Sequence, residues 1–243
     1  METQNLAGQV AIVTGAGRGI GRSIALMLGQ HGAHVVLAAR TDVELQAVQT
    51  EIIAQGGQAL CIPTDVSCER AVQTLVQSTI AQVGRLDIIV NNAGMGIFGP
   101  LAEMTTKQWD RVMAVNARGP FLLCREAIPY LKQQPRSFII NITSVVGVKG
   151  YANQAAYSAS KHAVMGMTKA LAKEVQGDGI RVHAICPGGV DTEMVRQSRP
   201  DLDPAVLIQP EEIADVVLFL VTRRGNAVID EIHVRRAVST PWA

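Results

Sequence analysis

A tyrosine and a lysine four positions apart, Tyr157 and Lys161, are the residues of this 243-residue sequence whose types and spacing best suit proton transfer. On a helix, side chains at this spacing lie on one face. A tyrosine with its ordinary pKa of about 10 is a poor acid–base catalyst at neutral pH, but a neighbouring ammonium group favours the phenolate. Such pairs also arise by chance on helix surfaces. Ser144 upstream and a glycine-rich turn near the N-terminus favour a catalytic acid–base pair instead.

The glycine-rich turn reads TGAGRGIG from Thr14 to Gly21, between an apolar β-branched run and an amphipathic stretch. Glycines at a strand-to-helix junction allow a tight turn and let the backbone approach a pyrophosphate. Free N–H groups at the start of the helix add a partial positive charge. A turn needs glycines with or without a ligand, but this position favours dinucleotide binding. The predicted contacts are Gly15, Gly17, Arg18, Gly19, Ile20 and Gly21.

The residues at the end of the second apolar run indicate which dinucleotide is used. NAD enzymes place an acidic residue roughly 20 positions past the glycines, where it accepts bonds from the ribose hydroxyls. Here the segment from Leu37 to Thr41 reads LAART, and the first acid is Asp42. A carboxylate would repel a 2′-phosphate, whereas Arg18 and Arg40 can bind one through charge-assisted bonds. The sequence therefore predicts NADP(H) as the cofactor.

Alternating β-branched runs and amphipathic stretches predict the elements that position these residues. Unbroken apolar strands separated by helices are typical of a parallel sheet covered on both faces. The predicted fold is therefore an α/β protein with a doubly wound parallel sheet of about seven strands flanked by helices, although length alone leaves one or two domains open. The strands are predicted at 10–14, 34–39, 59–63, 86–91, 137–143, 181–186 and 228–234.

Helices are predicted between these strands, and one long irregular segment precedes the last of them. Pro120 and Pro129 should bend or divide the helix at 106–132. The segment 188–209 is rich in Pro, Asp and Arg, and a loop of this length is typical of a cover over a substrate. The helices are predicted at 20–31, 43–54, 68–83, 106–132 and 152–176, with a further one from 210.

Composition excludes several other classes of protein. The 22 basic and 21 acidic residues give a net charge of +1, which argues against nucleic acid or an anionic membrane as the main partner. Four scattered cysteines without metal-ligand spacing predict a reducing compartment and no metal site. The sequence shows no signal peptide and no apolar run of the roughly 20 residues that span a membrane. These features predict a cytoplasmic protein.

The order and spacing of these motifs resemble the short-chain dehydrogenase/reductase family over nearly the whole chain. The resemblance implies a single NADP(H)-binding domain over residues 1–243 with a Rossmann-type sheet. Individually the motifs are weak signals, but together they are highly specific. From Thr143 to Lys161 the sequence is most similar to β-ketoacyl-acyl carrier protein reductases. The matching pieces are the TGAGRGIG turn, Asp65-Val66, Asn91-Asn92-Ala93-Gly94, Asn116, Ser144, Tyr157-x-x-x-Lys161 and Pro187-Gly188.

The resemblance implies a role for each of four catalytic residues. Tyr157 donates a proton to the carbonyl oxygen as hydride arrives from the nicotinamide, and Ser144 orients that oxygen. Lys161 binds the nicotinamide ribose and lowers the pKa of Tyr157. The backbone of Asn116 holds a water molecule that joins Lys161 to solvent. Besides the turn and Arg40, the implied cofactor contacts are Asp65, Val66, Asn92, Ala93, Gly94, Tyr157, Lys161, Pro187, Gly188, Val190 and Thr192.

The predicted substrate residues are mainly apolar and include no lysine or arginine. They favour a neutral ketone over a keto acid, although apolar residues here could equally be ordinary packing. The predicted reaction is reduction of a ketone to a secondary alcohol, with a 3-oxoacyl thioester as one candidate substrate. The predicted contacts are Met95, Val146, Tyr151, Gln154, Gly189 and Met194.

Two departures from the family pattern leave the substrate and the assembly open. Asp178 stands where carrier-protein reductases commonly have arginine, although Lys132, Arg136, Lys169 and Lys173 could replace its charge. The C-terminus reads IDEIHVRR instead of a strand like V-D-G-G that packs in tetramers, so a homodimer or a homotetramer is expected. The alternatives are a broad reductase or dehydrogenase of small carbonyls, alcohols or quinones, and a non-catalytic NADP-sensing protein.

Overall fold

Seven parallel strands form one sheet in the computed structural model, which describes residues 6–199 and 201–241. The strand order is β3-β2-β1-β4-β5-β6-β7, and every neighbouring pair is parallel. The predicted doubly wound parallel sheet is therefore confirmed. The strands are β1 Val10–Thr14, β2 His34–Ala38, β3 Gln58–Cys61, β4 Ile88–Asn91, β5 Ser137–Ile142, β6 Ile180–Pro187 and β7 Glu231–Val234.

Helices cover both faces of the sheet, which explains the unbroken apolar character of the central strands. In β1, Ala11 and Val13 pack on the face covered by α1, α2 and α8, whereas Val10 and Ile12 pack on the other face. The described α-helices are α1 Gly19–Gln30, α2 Asp42–Ala54, α3 Glu69–Val83, α4 Thr106–Met113, α5 Gly119–Leu131, α6 Ala155–Glu174, α7 Glu193–Ser198 and α8 Pro210–Thr222.

The long helix predicted at 106–132 is divided, as its prolines indicated, but the division lies upstream of both. A π-helical segment, Ala114–Arg118, separates α4 from α5. Pro120 lies in the first turn of α5 and Pro129 lies inside this helix. Because Pro120 has no N–H group, the carbonyl of Asn116 cannot accept the usual bond from four residues ahead. The widened turn therefore falls at Asn116. Single π-helical turns within α-helices often occur at functional sites.

The segment 188–209 is more ordered than an irregular loop. It contains α7, which Thr192 caps by accepting a hydrogen bond from the N–H of Val195. A 3-10 turn, Pro204–Val206, follows, and Asp203 caps it. Polar caps at Thr192 and Asp203 account for these short helices. Pro200 of the predicted loop lies outside the described residues.

The sheet brings the sequence motifs to one edge. Strand order reverses between β1 and β4, and dinucleotides bind in the crevice at such a reversal, beyond the carboxyl ends of the strands. The glycine turn follows β1, Asn92 follows β4, Ser144 follows β5 and Gly188 follows β6. No helix in the described residues has the length and apolar character to cross a membrane.

Candidate active site

Ser144 and Tyr157 meet at the carboxyl edge of the sheet. Ser144 follows β5 as the cap of a 3-10 turn, and Tyr157 lies in the first turn of α6. Both side chains line one cleft, and the Ser144 hydroxyl lies close enough to the Tyr157 phenol to lower its pKa. The Ser144 hydroxyl also accepts a bond of 3.3 Å from the N–H of Val146 and donates one of 3.4 Å to the Pro187 carbonyl. Two hydroxyl groups are thus held together where a carbonyl oxygen can enter.

Lys161 lies one helical turn after Tyr157, with its side chain only 5% exposed. Its Nζ donates a 2.9 Å bond to the Ile142 carbonyl at the end of β5 and lies 5.8 Å from the centre of the Tyr157 ring. A Cβ added at Gly94 would lie 3.7 Å from this Nζ. The amino group of Lys161 therefore lies next to Gly94, in the chain that follows β4.

Burial is the main influence on the pKa of Tyr157. It raises this pKa to about 12, and the nearby Ser144 hydroxyl offsets only part of that rise. Burial also lowers the pKa of Lys161 to about 8. In a poorly solvated site both side chains favour their neutral forms, so Tyr157 stays protonated at neutral pH. The lowering of the Tyr157 pKa by Lys161 stays a prediction.

Asn116 contributes its side chain as well as its backbone. Its amide oxygen accepts from the N–H of Met95, and its amide nitrogen donates to the Met95 carbonyl, both at 2.8 Å. The same nitrogen donates a 3.0 Å bond to Ser160, whose hydroxyl bonds to the Tyr157 carbonyl. The buried Asn116 therefore ties the chain after β4 to the helix that carries Tyr157 and Lys161. The sequence pattern pointed only to a backbone role for this residue.

The glycine turn is packed directly against the chain that follows β4. A Cβ at Gly21 would lie 2.2 Å from the Gly15 carbonyl oxygen and 2.4 Å from Nδ2 of Asn92. Asn92 Nδ2 donates 2.9 Å to the Thr14 carbonyl, and the Thr14 hydroxyl accepts from the N–H groups of Asn92 and Ala93. Gly15 has a φ of +65°, which a side chain would strain. This turn has room for backbone only.

The surroundings of the turn fit a dinucleotide with an added phosphate. Helix α1 begins without a side-chain cap, so no side chain competes with a phosphate for its first N–H groups. Arg40 is exposed beyond β2, and its charge acts on the carboxyl of Asp65. Partial burial opposes this effect, but bonds from Ser67 together with Arg40 hold the pKa of Asp65 below its usual value. Arg18 is exposed and forms an ion pair with Glu193 of α7.

The other residues expected at the cofactor lie along the same crevice. Val66 is buried against Gly119 of α5. The N–H of Gly188 donates a 2.7 Å bond to the Val234 carbonyl, which ties the ends of β6 and β7 together. Val190 is buried, and the methyl group of Thr192 faces Gly19. α7 therefore begins directly beside the glycine turn.

Five of the six predicted substrate residues line the cleft that contains Ser144 and Tyr157. The cleft has a volume of about 180 Å³, and Phe98 contacts the Tyr157 ring edge-on at 5.7 Å between ring centres. Residues from α7 and the chain after it form the opposite wall. The lining residues are Phe98, Ser144, Val145, Val146, Tyr151, Gln154, Tyr157, Gly188, Gly189, Met194, Val195, Ser198, Arg199, Leu202 and Arg236.

Two expectations about this cleft are wrong. Met95 does not line it, because Asn116 clamps the Met95 backbone and Phe98 occupies the wall instead. The sequence also indicated no basic residue near the substrate, yet Arg199 and Arg236 both line the cleft. These two arginines come from the end of α7 and from the chain after β7, so no local motif linked them to Tyr157.

Comparisons with known proteins agree with this geometry. The model of the short chain dehydrogenase family matches residues 9–203. A 3-oxoacyl-[acyl-carrier-protein] reductase of Synechocystis is 39% identical over 92% of this chain and 93% of that protein. A metagenomic short-chain oxidoreductase solved with NADP is 40% identical, covering 96% of this chain and 99% of that one with a TM-score of 0.85.

An alcohol dehydrogenase of Thermococcus sibiricus, solved with 5-hydroxy-NADP, is 27% identical with a TM-score of 0.89. That match covers 96% of this chain and 98% of that one. The chain belongs to the short-chain dehydrogenase family. The resemblance predicted from the sequence, including the similarity to 3-oxoacyl reductases, is therefore confirmed.

One cluster in this short-chain dehydrogenase was missed by the sequence pattern. Cys186, Glu231 and His233 have ligand atoms within 4.8 Å of one another, on the paired ends of β6 and β7. No metal site was expected, because these residues are not at zinc-ligand spacing in the sequence. Glu231 already bonds to His233 at 2.5 Å, and Lys169 lies 3.8 Å from the same carboxylate. The cluster is thus internally paired.

Three of the four basic residues suggested for docking a carrier protein have partners within the chain. Lys132 forms a 2.9 Å ion pair with Asp178, the acid that departs from the family pattern. Arg136 donates to the backbone carbonyl of Arg224, and Lys169 faces Glu231. These contacts reduce the charge available to an acidic partner at this surface.

Proposed function

We propose that this protein reduces a ketone to a secondary alcohol with NADPH, with Tyr157 as the proton donor. The observation that supports the proposal most is the presence of the Tyr157 and Ser144 side chains together in the wall of one cleft. A carbonyl oxygen between these hydroxyls would accept one bond from each. NADPH supplies a hydride when it is bound.

Each catalytic residue has a distinct task in this proposal. Ser144 orients the carbonyl oxygen, and Tyr157 transfers its proton to that oxygen as negative charge develops there. With its pKa raised to about 12, Tyr157 remains protonated at neutral pH, which suits reduction. Lys161 lies where it can donate hydrogen bonds to ribose hydroxyls at the edge of the crevice. Asn116 positions α6, and its backbone carbonyl is proposed to bind the water that joins Lys161 to solvent.

The preference for NADPH is proposed from Arg40 and Arg18. Arg40 supplies positive charge beyond β2, where an acid would favour NADH. Arg18 would exchange Glu193 for the 2′-phosphate; both side chains are more than half exposed, so this ion pair is weak. The two similar solved structures that carry NADP or 5-hydroxy-NADP support the same preference.

A 3-oxoacyl thioester is the second candidate substrate, because a Synechocystis relative carries that activity in its name. The Lys132–Asp178 pair opposes carrier-protein docking in this chain. A broad reductase of small carbonyls or quinones is the third candidate. A non-catalytic NADP-sensing role gains no support from the Ser144–Tyr157–Lys161 arrangement, since a sensor needs no proton donor.

The test follows the loss of NADPH absorbance with acetoacetyl-CoA, simple ketones, aldehydes and quinones, and repeats each assay with NADH. We expect oxidation of NADPH with at least one ketone, and an activity with NADH lower by about tenfold or more. Tight NADPH binding without turnover of any compound would instead support the sensing role. Equal activity with NADH would contradict the role of the two arginines.

We further propose that residues 1–243 act as one domain that forms a homodimer through α5 and α6. All seven described strands join one sheet, and α5 exposes Phe121 with Arg125 stacked over its ring. The exposed Val228 and Ile229 before β7 offer a second apolar surface, which a tetramer would cover. Light scattering after size-exclusion chromatography distinguishes a monomer, which contradicts the proposal, from a dimer or tetramer.

A further inference from the structure

The C-terminal segment after β7 places a guanidinium group in the catalytic cleft. Arg236 lines this cleft together with Ser144 and Tyr157. The bond from the N–H of Gly188 to the Val234 carbonyl brings the segment alongside Gly188 and Gly189. A Cβ at Gly189 would lie 3.6 Å from Cδ and 3.8 Å from Nε of Arg236. The arginine stem therefore occupies the space beside Gly189 where a side chain at that position would lie.

The backbone around Arg236 is fixed in a turn. The N–H of Ser239 bonds to the Arg236 carbonyl at 2.9 Å. Nη1 of Arg235 also donates to that carbonyl and to those of Ala237 and Ser239, at 2.9–3.1 Å. Arg235 thus stabilises the turn. The neighbouring side chain, that of Arg236, lines the cleft.

The cleft contains two arginines, Arg199 and Arg236, but among the described residues only one nearby carboxylate, that of Asp201, is bound to either of them. Arg199 holds the carboxylate of Asp201 through two bonds, at 2.8 and 2.7 Å. This contact with Arg199, helped by the charge of Arg236, holds the pKa of Asp201 below its usual value. Within residues 6–199 and 201–241, the guanidinium of Arg236 donates no hydrogen bond. Two cationic side chains therefore share one carboxylate, and the fork of Arg236 remains available for an anion.

A partly buried guanidinium beside a catalytic pair suits a substrate that carries its own negative charge. Arginine binds carboxylates through paired, charge-assisted bonds of fixed geometry. We propose that the carbonyl substrate is a small oxo acid whose carboxylate binds Arg236 while its ketone oxygen lies between Ser144 and Tyr157. The inference rests on the proposed reductase function and names its substrate class. Its core, an anion site at Arg236, can be measured without turnover.

The binding experiment titrates the protein saturated with NADP⁺ in a calorimeter. The probes are 2-oxobutanoate, 4-oxopentanoate and 5-oxohexanoate, which differ in the distance between the ketone and the carboxylate. Each acid is compared with its neutral amide. We expect at least one acid to bind about tenfold or more tightly than its amide. Arg236→Gln should abolish this preference, and Arg236→Lys should retain part of it.

Controls separate the site from general electrostatics. Arg224→Gln removes the same charge away from the cleft and should leave the preference for the acid unchanged. An unchanged melting temperature and NADP⁺ affinity of Arg236→Gln establish that this variant is folded. Equal binding of acids and amides by the wild type, or a preference that survives Arg236→Gln, would overturn the inference.

Turnover measured on the same pairs distinguishes this inference from the reductase proposal. Reduction of ketones without any preference for acids leaves the reductase standing and overturns the oxo-acid site. Preferential acid binding through Arg236 without reduction of any carbonyl compound keeps the anion site and contradicts the reductase. Acetoacetyl-CoA is compared with the neutral acetoacetyl thioester of N-acetylcysteamine. If Arg236 favours only the CoA form, the anion is a nucleotide phosphate and the oxo-acid assignment fails.

Discussion

The cofactor side and the substrate side of the cleft are built in different ways. On the cofactor side, the glycine turn is held by Thr14 and Asn92 through hydrogen bonds to backbone groups. On the substrate side, the wall from α7 to the chain after β7 carries exposed ion pairs such as Arg196–Asp191 and Arg199–Asp201. The first region is fixed by backbone packing, the second by side chains.

This difference decides which residues of the cleft can be replaced. Backbone packed to contact distance tolerates no added atom, so a side chain at Gly15 or Gly21 would force the turn to move. Exposed ion pairs contribute roughly 0–1 kcal/mol each, so residues such as Arg199 can change without loss of the fold. Tyr157 and Lys161 lie on α6, which is held by the bond from Asn116 to Ser160 and by the bond from Lys161 to the Ile142 carbonyl.

The largest expected effect is the loss of reduction rate when Tyr157 is replaced. Tyr157→Phe removes the proton donor but keeps the ring that packs against Phe98. The rate of reduction should fall by about 10²–10⁴-fold, the contribution typical of a general acid, while NADPH affinity stays within a few-fold. Steady-state kinetics and NADPH fluorescence titration measure the two quantities. The control is Tyr130→Phe, a tyrosine packed on the core away from the cleft. Substantial activity in Tyr157→Phe would contradict the assignment.

The cofactor side is tested by adding one methyl group. In Gly21→Ala the new Cβ would meet the Gly15 carbonyl at 2.2 Å, so the turn must shift. Overpacking of this kind costs about 1–3 kcal/mol or more, and we expect a corresponding loss of unfolding free energy together with weaker NADPH binding. Gly177→Ala, which meets nothing within 4 Å, should change stability by less than about 1 kcal/mol. Equal urea-unfolding curves for the two variants would contradict the contrast between the regions.

The smallest effect concerns the protonation of Lys161. Its pKa is about 8 in the folded protein, against an ordinary value of 10.5. Between these values the unfolded chain binds a proton that the folded protein has released, so the unfolding free energy of the wild type rises with pH. Relative to Lys161→Met, the wild type should gain on the order of 1–3 kcal/mol as pH rises through this window. Urea unfolding of both proteins at the two ends of this pH range measures the gain. A difference in unfolding free energy that does not change with pH would show that Lys161 is not desolvated.

Local pattern predicted the regular elements well because apolar periodicity and glycine positions act over a few residues. The bounds of β1 match its predicted bounds, whereas β7 begins three residues later than predicted. Exposed Val228 and Ile229 account for that difference, since they are apolar without joining the sheet. The burial that raises the pKa of Tyr157 was not predicted, because spacing on a helix identifies a neighbour but not the depth of a side chain.

The sequence by itself determined the positions of the strands, the glycine turn and the spacing of Tyr157 and Lys161, since each follows from residues adjacent along the chain or one helical turn apart. Only the tertiary structure decided what surrounds the reacting carbonyl. Phe98, Arg199 and Arg236 lie far apart in the sequence and meet Tyr157 through the order of strands in the sheet. Arg236 reaches the cleft because β7 pairs with β6, a contact that no local signal encodes.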